Sequence, residues 1–137
     1  MNKILSSIKQ RKINLILMVT VLFLYLINNM HLKKNTSGHF RCFFICYFND
    51  LICPLFFISY CNILLITINK EMVKLRWILL LGFCAGLIWE YIGPIIKPSS
   101  VKDYLDLVCY MIGSVLYWVI IKLAHNDCCK MLEKGKR

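Results

Sequence analysis

Long apolar runs separated by short polar stretches dominate the chain. Four of them, at 13–30, 42–68, 77–96 and 104–124, approach or exceed the roughly 20 residues that an α-helix needs to cross a bilayer. None keeps the strict two-residue alternation of a barrel strand. The pattern therefore predicts an all-α integral membrane protein, a bundle of four transmembrane helices joined by short loops. Residues 1–12 and 125–137 read as basic tails, and no internal repeat, low-complexity tract or separate soluble domain interrupts the pattern.

Composition sharpens this reading. The chain of 137 residues is 59% hydrophobic, with a mean hydropathy of +0.64. A soluble domain of this size could not bury so much apolar surface. The formal net charge is +10. In a soluble protein such an excess would suggest nucleic acid. Here the basic residues flank apolar runs, which points to membrane topology and anionic lipid, with no nucleic-acid partner expected.

The basic residues are also unevenly placed. Four precede the first run, three lie between the second and third, and five close or follow the fourth, twelve on one side of the membrane. The opposite side has five, namely Lys33, Lys34, Arg41, Lys97 and Lys102. The positive-inside rule then puts both termini in the cytoplasm. The N-terminal segment resembles a signal peptide, but Asn28-Asn29-Met30-His31 is no small-residue cleavage site, so it reads as an uncleaved first span. Trp77, Trp89 and Trp118 are candidate interface residues.

Eight cysteines form no C-x-x-C pair, and six lie in or beside apolar runs, where they read as packing residues. His125, Cys128 and Cys129 read as part of a tail rather than a metal site. No metal and no cofactor is expected.

Polar residues inside the runs carry the candidate chemistry. Asn49 and Asp50 interrupt "CYFNDLICPLFF", and Glu90 interrupts "GLIWEYIGP". Asp50 lies 9 residues past Arg41, about 14 Å along a helix, and Glu90 lies 7 residues before Lys97, about 10 Å from that end. Asp103 and Asp106 open the fourth run. Asn28 and Asn29 end the first run on the same side, so polar groups of all four spans fall in the outer leaflet, with inner halves almost wholly apolar. Asp103, Asp106, Tyr110, Gly113 and Tyr117 share one helical stripe, and Gly82, Gly86 and Glu90 share another. Gly82 and Gly86 form a G-x-x-x-G that admits a neighbouring backbone. Pro54 and Gly93-Pro94 are candidate kinks beside the two acids. A charged group at mid-membrane costs on the order of 3 kcal/mol, so such acids face protein or water and have partners.

The order of these residues carries a resemblance. An acidic or Asn position in the second span, a Glu in the third and "D-x-x-D-x-x-x-Y-x-x-G" opening the fourth resemble the VanZ-like family of small bacterial membrane proteins. Asp103, Asp106 and Gly113 match the family's D-x-x-D-x-x-x-N-x-x-G, and Glu90 matches its third-span Glu. Asp50 matches the second-span position loosely. The family's Asn is Tyr110 here, its Gln after the Glu is absent, and Lys102 or Lys97 is the nearest substitute for its Arg. The similarity covers roughly residues 42–120.

The resemblance implies a multi-pass protein of the bacterial cytoplasmic membrane, with some relatives linked to teicoplanin-type resistance. The expected function is an acidic outer-leaflet pocket that binds or acts on a lipid, a cell-wall precursor or a glycopeptide antibiotic. The binding set is Asn49, Asp50, Glu90, Asp103, Asp106 and Tyr110; Gly82, Gly86 and Gly113 serve helix packing. Whether the protein is an enzyme stays open, with Glu90 and Asp106 as acid/base candidates. A small proton- or cation-coupled transporter subunit, a scaffold and a homo-oligomer are the alternatives. Apolar inner halves would limit one protomer to half a channel.

Overall fold

The structure is a computed structural model that describes residues 2–36, 38–68, 70–96 and 104–134. Its elements are α1 (Asn2–Ile27), α2 (Lys33–Asn35), α3 (His39–Cys42), α4 (Phe48–Thr67), α5 (Leu75–Ile96) and α6 (Tyr104–Lys134). Widened π-helical turns at Asn28–Leu32 and Phe43–Tyr47 continue α1 into α2 and α3 into α4. Among the described residues, four stretches are long and apolar enough to cross a membrane: Ser7–Asn35, Phe40–Thr67, Leu75–Ile92 and Tyr104–Ala124. Helices suit this setting because they satisfy their own backbone polar groups where no water can. The chain is an all-α, multi-pass membrane protein.

The helices reach further than their apolar runs. α1 starts at Asn2 and α6 continues to Lys134, so much of both basic tails is helical. Lys, Arg and Gln are good helix formers, and extending an existing helix is far easier than starting one. α5 runs through Gly93 and Pro94 to Ile96 instead of breaking there. Pro94 has no N–H to give the Glu90 carbonyl, a single missing bond of the kind that membrane helices accommodate without ending. α4 likewise continues through Pro54.

The helices are arranged in the order α1, α4, α6, α5. α4 packs along α1 on one side and α6 on the other, and α5 packs on the outer flank of α6. α1 meets α6 only briefly, α4 meets α5 only briefly, and α1 and α5 do not pack along each other. The core joins Val21 of α1, Ile52, Leu55 and Ile58 of α4, Ile78 of α5, and Tyr117 and Ile121 of α6. Apolar side chains also cover the outside: Ile16 and Val19 are about two-thirds exposed, at 66% and 67%. A surface this apolar belongs against lipid.

Glycines set the close crossings. A Cβ on Gly113 would run into the Leu51 carbonyl and the Pro54 ring, so α6 approaches α4 just where Pro54 interrupts the hydrogen-bond ladder. A Cβ on Gly82 would meet the Ser114 hydroxyl, and one on Gly86 would meet Leu107 and Tyr110. The G-x-x-x-G of α5 thus faces α6.

Both ends of the described chain lie at one end of the bundle, here termed basal. The apical end carries the turn between α2 and α3, where Gly38 has φ 77°.

Candidate functional site

At the apical end, α1 and α4 are tied by an amide. Asn28 Nδ2 donates to Asn49 Oδ1 at 2.9 Å and to the Phe44 carbonyl at 3.0 Å. Phe44 lies in the second π-helical turn, and Asn28 opens the first. Turns of this type concentrate at functional sites. Asn28 is fully buried, and its Oδ1 accepts no hydrogen bond from the described residues.

Below this tie a cleft of about 500 Å³ opens between α1 and α5, over a floor of α4 and α6. It exists because α1 and α5 do not close on each other. Asn49 and Asp50 line it, as do Cys46, Cys53, Trp89 and Tyr110. Val21, Leu22, Ile52 and Phe56 make its apolar wall. The Tyr110 hydroxyl donates to Cys53 Sγ at 3.5 Å, which holds the ring across the floor. Asp50 is half-buried, and the carboxylates of Asp106 and Glu90 are close enough for their charges to act on it, as is the Lys33 ammonium.

The sequence-derived set therefore divides. Asn49, Asp50 and Tyr110 line the cleft directly. Glu90 and Asp106 act on Asp50 through charge, while Trp89, not Glu90, lines the cleft. Asp103 lies outside the described residues, as do the side chains of His125, Cys128 and Cys129. Among the described residues no group of three His, Cys, Asp or Glu could hold a metal ion, and the described cysteines form no disulfide.

The basal half corrects the expectation of an apolar interior. The Tyr117 hydroxyl donates to Asn14 Oδ1 and accepts from Asn62 Nδ2, both at 2.8 Å. Asn62 Oδ1 accepts the Met72 backbone N–H at 3.0 Å, and Asn14 Nδ2 donates to the Gln10 carbonyl at 2.9 Å. Asn14, Asn62 and Tyr117 are each fully buried. Nearby, the Gln10 amide and the Ser59 hydroxyl are buried with no hydrogen-bond partner among the described residues. Such groups are ordinarily satisfied by water in a polar interior. Asn14 and Asn62 were visible as lone amides inside apolar runs, which is the signal that could have found them. Their partner Tyr117 comes from a third helix, so the pairing itself needed the fold.

No protein-family model matches this chain, and no curated protein or solved structure matches it.

Proposed function

We propose that the apical cleft binds an amphipathic envelope molecule that enters sideways from the bilayer, and that the protein is a VanZ-like component of the bacterial cytoplasmic membrane. The observation that carries this reading is the cleft's composition: an apolar wall meets Asn49, Asp50 and Tyr110 in a space of about 500 Å³ open between α1 and α5. Ligand pockets commonly combine an apolar lining with a few polar groups. A hydrocarbon or aromatic body would lie against Val21, Leu22, Phe56 and Trp89. A cationic or hydrogen-bond-donating head would meet Asp50, under the charges of Glu90 and Asp106. The excess of basic residues at the basal end supports an outward-facing cleft under the positive-inside rule. A lipid, a cell-wall precursor and a glycopeptide all present such a combination of groups.

Teicoplanin and vancomycin susceptibility of a sensitive Gram-positive host tests the proposal. Empty vector, parent chain, Asp50→Asn, Glu90→Gln and Asp106→Asn would be compared at matched membrane abundance. The parent should shift teicoplanin tolerance, and Asp50→Asn should abolish the shift. An unchanged parent strain would remove the glycopeptide-linked reading.

A second reading, proton- or cation-coupled transport, is favoured by the buried basal network of Asn14, Asn62 and Tyr117 with the orphaned Gln10 and Ser59. It gives the membrane interior a second polar region beyond the acidic cluster. Proteoliposomes with an internal pH dye would report a flux that Asp50→Asn and Tyr117→Phe both reduce.

A further inference from the structure

α4 and α5 are consecutive in sequence yet barely touch, because α6 lies between them. At the basal end their separation leaves a cavity of about 640 Å³ behind the 70–74 connection. Leu65, Trp77, Leu80, Leu81 and Cys84 form its apolar wall. From Trp77 to Cys84 that wall runs about 10 Å along α5. An empty apolar groove of this depth in a bilayer would be filled by hydrocarbon.

Its mouth has the opposite character. Lys70 and Lys74 line it, both exposed. Glu71 also lines it, but its carboxylate accepts a 2.8 Å hydrogen bond from the Ser7 hydroxyl of α1. α5 begins at Leu75, beside the mouth, and has no acidic residue in its first turn. The Trp77 and Ile78 N–H groups both bond the Lys74 carbonyl, so α5 starts at this level, where the positive end of the helix dipole favours an anion. Arg76 stacks over Trp77, 5.7 Å from the ring centroid, and adds positive charge at the same level.

We propose that this groove is a binding site for an anionic glycerophospholipid of the basal leaflet. The acyl chain lies along α5 between Leu65 and Cys84, and the phosphate sits between Lys70, Lys74 and the start of α5. The bound lipid takes the place of the packing that α4 and α5 do not make with each other. This site lies at the opposite end from the apical cleft and does not depend on the function proposed for that cleft.

The test uses the full chain with Trp89→Phe and Trp118→Phe, so that Trp77 is the sole indole, in phosphatidylcholine nanodiscs. Brominated phosphatidylglycerol should quench Trp77 saturably, at a mole fraction about tenfold lower than brominated phosphatidylcholine requires. Lys70→Gln with Lys74→Gln should erase that preference, and Lys70→Arg with Lys74→Arg should keep it. Cys84→Phe, which fills the groove, should weaken quenching by both lipids. Equal quenching of the parent by the two lipids overturns the proposal. So does a preference that survives the glutamine pair, or displacement of the lipid by inorganic phosphate alone. Loss of quenching as more chains are loaded per disc would assign the groove to a second copy of the protein, and overturn it as well.

Discussion

The Tyr117 hydroxyl donates a 2.8 Å hydrogen bond to Asn14 Oδ1 across 103 positions of sequence, joining the fourth span to the first. Through Asn62 the same hydroxyl also engages the second span. Three helices are thus pinned at the basal end, while α1 and α5 do not pack along each other and the cleft opens towards the apical end.

Tyr117→Phe leaves two buried amides each short of a partner. Unfolding of the purified chain under mild denaturing detergent should show a loss of about 1–2 kcal/mol. In a double-mutant cycle with Asn14→Leu, the coupling energy should be about 1 kcal/mol. Additive effects would mean that the two side chains do not act on each other.

Gly113→Ala should cost at least about 2 kcal/mol, because its methyl group meets a backbone carbonyl and the Pro54 ring, neither of which can rotate away. Gly38→Ala meets nothing within 4 Å but must adopt φ 77° with ψ −156°, a region essentially restricted to glycine, which should cost about 1–3 kcal/mol. If thermal unfolding shows Gly113→Ala to be neutral, the α4–α6 crossing is looser than described.

Asp50→Asn removes a negative charge that lies near two others, those of Asp106 and Glu90. The variant should be more stable than the parent by about 0.5–1 kcal/mol, while losing whatever activity the cleft has. A lower melting temperature would instead assign Asp50 a structural role, with Lys33 as the dominant neighbour.

Membrane orientation follows from a single-cysteine chain that keeps only Cys42, an exposed residue at the apical end. A membrane-impermeant maleimide should label it in intact cells without lysis. Labelling that requires lysis would invert the topology and place the acidic cleft in the cytoplasm.

The four spans were legible because crossing a bilayer demands long apolar runs, a property that each run displays without reference to the others. The convergence of Asp50, Glu90 and Asp106 was partly legible too: distance from the basic flanks sets depth, and residue spacing sets the helical face. That Asp50 lines the cleft while Glu90 and Asp106 stand beside it was not. Trp89 and Glu90 are neighbours in sequence, and the rotation of α5 against α6, set by Gly82 and Gly86, decides which of them lines the cleft. The basal network was missed because the partner that joins Asn14 to Asn62 is Tyr117, a residue of a third helix that neither run reveals; on its own helix Asn14 reaches only the Gln10 carbonyl. Sequence alone, through length and hydropathy, determined the number of membrane-spanning stretches and their membrane setting. Helix order, the open side between α1 and α5, and the groove between α4 and α5 were decided by tertiary packing. The small residues that admit a neighbouring backbone choose which helices lie against each other, and that choice is a property of pairs of helices rather than of any one run.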